Sequence, residues 1–75
     1  MKIPVKGETW EHTTSGRQYL IEGGAWNAIT DKLDVVYRPL YPCEFGLFTR
    51  QLRDDPKSWT STNEDGAPRF RKVSE

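Results

Sequence analysis

The stretch QYLIEGGAWNAI (residues 18–29) decides how this chain folds, because it reads as a strand interrupted by two adjacent glycines. Gln18 to Glu22 read as a strand that runs into Gly23 and Gly24, and residues 25–29 read as its continuation. Paired glycines inside a strand pattern mark a bulge or sharp bend, the device by which a small sheet curls on itself. Working outward, residues 8–12 (ETWEH) alternate strictly, with Trp10 and His12 on one face and Thr9 and Glu11 on the other. TTSGR (residues 13–17) reads as the hairpin turn between these strands, with Gly16 free to take a positive φ.

On the other side, TDKLD (residues 30–34) is expected to turn the chain into a third strand, VVYRPL, which ends at or lies at an edge near Pro39. YPCEFG (residues 41–46) reads as a connection, LFTR (residues 47–50) as a fourth strand and RFRKV (residues 69–73) as a fifth. In DDPKSW (residues 54–59), Asp55 is placed to cap and Pro56 to open one helical turn, and residues 61–68 form a polar loop with an Asp-Gly turn signal. The expected fold is all-β: a small, strongly curled antiparallel sheet or SH3-like barrel of five strands with one short helical turn, a single domain over residues 1–75 with an N-terminal arm at residues 1–6.

Seventy-five residues support one core at most. Hydrophobic residues make up 35% of the chain, below the roughly 45–50% of typical domains, so the nine aromatic residues must supply much of the buried surface. Cys43 and His12 are the sole cysteine and histidine, which excludes an internal disulfide and argues against a Cys/His zinc site. No cofactor is expected. With neither staple available to so small a core, self-association into a homo-oligomer is expected. Eleven basic and eleven acidic side chains cancel, which argues against a long nucleic-acid track. No segment has the length of a signal or membrane helix, so the chain reads as cytoplasmic, with no membrane partner.

Five segments in order, WEH (residues 10–12), GRQYLI (16–21), LDVVYRPLY (33–41), GLFTRQL (46–52) and PRFRKV (68–73), resemble the bacterial and phage domain-of-unknown-function family 1653. Gln51 stands where that family's pattern has proline, and Glu11 where a basic residue is common. The resemblance implies a compact β fold of this length and no established activity.

The residues that invite a functional reading are Trp10, His12, Tyr37, Arg38, Tyr41, Phe48 and Arg50. Arg38 falls between aliphatic residues on a strand, so it is either paired with a carboxylate such as Glu8, Glu11 or Glu22, swung out by a bulge, or held for a ligand. Arg50 poses the same question beside Phe48. Two guanidinium groups among tyrosine and phenylalanine rings can hold an anion while the rings stack on a planar group. Val35, Val36, Leu40, Leu47 and Phe48 are expected to fill the core. Trp26, just after the glycines, is placed on the rim as a binding platform, and Trp59 as the plug of the open end.

A catalytic reading would rest on Cys43 with His12, but nothing near YPCEF supplies a base or an activating cation in sequence. The leading expectation is a non-catalytic protein that captures a small planar anion, nucleotide-like, and sequesters it as a phage protein would. The alternative is an SH3-like adaptor that binds a peptide or partner protein. A weaker alternative is single-stranded nucleic-acid binding along Arg69, Arg71 and Lys72.

Overall fold

The computed structural model describes residues 3–74; of the expected N-terminal arm, Met1 and Lys2 lie outside the described residues, as does Glu75. Five antiparallel strands, β1 (Thr9–His12), β2 (Gln18–Asn27), β3 (Lys32–Pro39), β4 (Phe48–Gln51) and β5 (Phe70–Ser74), form one sheet in the order β4-β3-β2-β1-β5. β4 and β5 are its two edges, so the sheet curls without closing into a hydrogen-bonded barrel. The curled-sheet expectation holds.

The glycine pair is the bend. Ile21 sits opposite Tyr37 and Gly23 opposite Val36, which leaves Glu22 as the extra residue of a β-bulge. Gly23 takes φ +143°, a backbone conformation L side chains rarely adopt. The inserted residue also exchanges the faces of β2. Before it, Tyr19 and Ile21 are on the core side of the sheet; after it, Gly24 and Trp26 are, opposite Val35 and Leu33.

One face of the sheet carries the core: Trp10, Ile21, Val35, Tyr37 and Phe70 from the strands, covered by Leu52 and Trp59 from the β4–β5 connection. Tyr19 and Phe48 pack against this cluster. Phe70 lies flat on Trp59, with ring centroids 3.8 Å apart and 3° between planes, and Trp10 and Tyr37 meet Trp59 edge-on at 5.7 and 5.0 Å. Such contacts add roughly 0.5–1.5 kcal/mol each beyond burial, which is how a chain poor in aliphatics assembles a core. Trp59 is 2% exposed, a central core ring and not an end plug, and its Nε1 has no hydrogen-bond partner among the described residues.

Several local expectations are corrected. The β2–β3 turn spans residues 27–31, earlier than TDKLD: Asn27 Oδ1 accepts from the backbone N–H of Ile29 and of Thr30, and Asp31 takes φ 57°, which frees Lys32 to Asp34 for β3. Residues 54–59 make reverse turns instead of a helical turn, and no helix occurs among the described residues. The Asp55 carboxylate does accept from the Lys57 N–H, but Ser58 N–H closes a turn on Asp55 O, and Trp59 N–H then reaches back to Gln51 O. Leu40 and Leu47 are exposed rather than core, because the β3–β4 connection carries them off the sheet. No helix among the described residues is long and apolar enough to cross a membrane.

Candidate functional site: an aromatic face with unpaired cations

Cross-strand register sorts the expected site residues. Val35 is opposite Arg50 and Tyr37 opposite Phe48, so Arg50 and Phe48 share the core face with Tyr37. His12 is opposite Phe70 and Trp10 opposite Tyr19 on that same face. Arg38, adjacent to Tyr37 in β3 and opposite Leu20, points the other way. Its Nε donates to Glu22 Oε2 at 2.7 Å in an exposed ion pair. The expected cleft with two arginines on one wall is therefore not formed, because Arg38 and Arg50 occupy opposite faces. Trp10 is also removed from it: the ring is buried, with Nε1 donating to Glu8 Oε1 at 3.0 Å.

The remaining five, His12, Tyr37, Tyr41, Phe48 and Arg50, gather around two rings that sequence reasoning passed over, Tyr19 and Phe70. Phe70 takes His12 edge-on at 5.1 Å and Arg50 above its ring, with the guanidinium carbon 5.0 Å from the centroid. Trp59, Phe70 and Arg50 thus form a layered stack that ends in a guanidinium. Arg50 Nε donates to Tyr37 Oη at 3.2 Å and Nη1 to Lys57 O at 2.6 Å, which fixes the side chain, while Nη2 makes no hydrogen bond among the described residues. Tyr19 packs edge-on against Tyr37 and Tyr41 at 5.0 and 5.6 Å, and its hydroxyl is 3.1 Å from that of Tyr41. Burial first, and the Tyr41 hydrogen bond second, keep the Tyr19 hydroxyl protonated well above the usual tyrosine range. Arg17, from the β1–β2 turn, lies over the Tyr41 ring at 4.7 Å.

Four cations are ion-paired: Arg38 with Glu22, Arg71 with Glu11, Lys32 with Asp54, and Lys72 with Glu8. Lys6, Arg17, Arg50, Arg53, Lys57 and Arg69 have no carboxylate partner among the described residues, and of these Arg17 and Arg50 lie over aromatic rings. His12 senses the imbalance: partial burial, then the charges of Arg50 and Arg69, hold its pKa below 6.5. The Glu8–Lys72 pair lies at the Trp10 end, nearly enclosed, where Lys72 and the Trp10 indole hold the Glu8 carboxyl down to about 2.

The Cys43 thiol is exposed in the β3–β4 connection, and the His12 ring engages Ser15 Oγ at 3.2 Å and Phe70. Ser15 Oγ also accepts from Arg17 N–H, so the His12–Ser15 contact helps fix the turn that carries Arg17. Among the described residues no group of three or more His, Cys, Asp or Glu side chains is placed to hold a metal ion. No family model, curated protein or solved structure matches the chain.

The signals for the missed residues were present in part. PRFRKV marks Phe70 as a strand residue, but only the β1–β5 pairing brings its ring to His12. Arg17 sits in a turn, where sequence gives no direction for its side chain.

Proposed function

We propose that the chain is a non-catalytic binding protein that captures a small planar anion, nucleotide-like in combining a flat ring with a phosphate, on the face formed by His12, Tyr19, Tyr41, Phe48, Arg50 and Phe70. The observation that carries the reading is the setting of two guanidinium groups, those of Arg17 and Arg50, over aromatic rings with no carboxylate partner among the described residues. Arg38 and Arg71, on the opposite face, have carboxylates, whereas Arg17 and Arg50, each set over an aromatic ring, have none among the described residues. A guanidinium lying over a ring and held by a backbone carbonyl is preorganised, so an anion meets a donor that needs little further ordering. A guanidinium plane suits stacking by a planar group, and a phosphate can take the Nη2 donor, which makes no hydrogen bond among the described residues. Zero net charge over the chain favours a discrete ligand over a polyanion. The same proposal gives the resemblance to domain-of-unknown-function family 1653 a physical content, since Tyr19, Tyr37, Tyr41, Phe48, Arg50 and Phe70 all lie in the segments that carry it.

The test is a thermal-shift series with nucleoside mono- and diphosphates, free nucleosides and inorganic phosphate. A ligand at 100 times its Kd stabilises by about 2.7 kcal/mol, a rise in Tm of roughly 10–20 °C for a domain of this size. Arg50→Lys is expected to abolish most of the rise and Arg17→Ala to reduce it, while Arg38→Ala leaves it unchanged. A panel in which nothing raises Tm, or in which Arg38→Ala alone removes the effect, would overturn the proposal.

A further inference from the structure

The apolar face of the sheet does not end where its cover ends. Leu33, Val35 and Tyr37 share that face by strand alternation; Val35 and Tyr37 are buried, but Leu33 is 43% exposed. Trp26 lies directly opposite Leu33 on β2, brought to this side by the bulge at Glu22, and its ring is 64% exposed. Without the extra residue the tryptophan would face the other way. With Ile3, 46% exposed, and buried Leu52 as floor, these side chains line a groove of about 450 Å³.

We propose that this hairpin end of the sheet is a self-association surface whose occupant is a second copy of the chain. The charge pattern of the rim favours such an occupant. The groove is rimmed by Asp31, Lys32, Arg53 and Asp54, all exposed; Lys32 pairs with Asp54 within the chain, which leaves Asp31 and Arg53, one of each sign, for an outside partner. In a two-fold contact the same patch meets itself, so Arg53 of each copy can meet Asp31 of the other. A rim of balanced sign has no attraction for an anionic bilayer or a nucleic-acid backbone, and a chain of zero net charge carries no long-range repulsion against its own copy. The area is of the right order. An interface of standard size needs about 800 Å² per partner, a little over half of it apolar. Taking 64% of a large ring's ~150–250 Å² leaves ~100–160 Å² on Trp26 alone. Leu33, Ile3 and the 92% exposed Ile29 in the adjoining turn extend this area. The surface is separate from the ring face around Arg50, so failure of one proposal leaves the other standing.

Sedimentation equilibrium of the full chain from about 1 to about 500 μM tests the proposal. The weight-average mass is expected to rise from 8.7 kDa toward twice that value. Trp26→Asp is expected to stay at the monomer mass throughout, with a dispersed amide spectrum unchanged outside the hairpin. Asp31→Lys, which breaks the balance of the rim, is expected to weaken association about tenfold at low salt, with recovery as salt screens the repulsion. A wild-type chain that remains monomeric at every concentration overturns the proposal, whatever else it binds. A dimer that survives Trp26→Asp undiminished overturns it equally, by placing the contact elsewhere.

Discussion

Replacing Gly23 by alanine isolates the backbone geometry on which the curl depends. A Cβ built at Gly23 meets nothing within 4 Å, so no side-chain clash contributes and the cost lies entirely in holding an L residue at φ +143°. A non-glycine residue in such a region costs about 1–3 kcal/mol, offset by about 0.4–1 kcal/mol from the less flexible unfolded chain. The net loss of roughly 1–2 kcal/mol lowers Tm by about 4–16 °C in a domain of this size. Gly46 is the internal control. A Cβ there also meets nothing within 4 Å, but its φ is not positive, so Gly46→Ala is expected to raise Tm by about 2–8 °C. The assay is thermal unfolding of both variants by circular dichroism under one buffer condition. If Gly23→Ala melts within about 1 °C of the unmodified chain, Gly23 is not strained as described and the bulge reasoning fails.

Other expectations follow from the same geometry. Glu8, with its carboxyl held at about 2 against an ordinary 4.5, contributes stability that is fully present above about pH 4.5 and is lost as pH falls through about 2; Glu8→Gln should flatten that acid limb and lower Tm at neutral pH. His12 is depressed below 6.5, so the unfolded chain binds its proton more readily. The stability His12 contributes is complete above about pH 6.5 and declines as pH falls through the lower folded value, a decline that His12→Gln should remove from a pH series of melting curves. Arg38→Ala breaks only an exposed ion pair and should change stability by no more than about 1 kcal/mol in a denaturant titration. Phe70→Ala removes the ring between Trp59 and Arg50 and should cost about 3–5 kcal/mol, enough to leave a small domain largely unfolded by circular dichroism.

The sheet was legible because its signals are local. Alternation in ETWEH and RFRKV, Gly16 in the first turn (φ 76°) and the glycine pair in β2 each constrain a few neighbouring residues, and each falls where expected. The second turn was misplaced by a few residues because Leu33 and Asp34 look like turn flanks, while the deciding contacts run from the Asn27 side chain to backbone two and three residues ahead. Residues 54–59 carry helix-opening chemistry in Asp55 and Pro56. The long-range bond from Trp59 N–H to Gln51 O, which sequence does not announce, bends them into turns instead. The site was half legible for a related reason. Alternation correctly sets Tyr37 against Arg38, but whether Arg50 joins one face or the other depends on the β3–β4 register, a property of two strands together. Phe70 and Arg17 reach the site only through the β1–β5 pairing and the geometry of the first turn.

A planar anion held on the aromatic face, as proposed, must touch the guanidinium groups of Arg17 and Arg50. Amide and side-chain NMR during titration with a nucleoside monophosphate reports that contact residue by residue. Saturable shifts at Arg50 Nε, Arg17 Nε and the His12 ring, with the Arg38 Nε signal unmoved, are the predicted result; a titration that moves none of these, or moves Arg38 in their place, contradicts it.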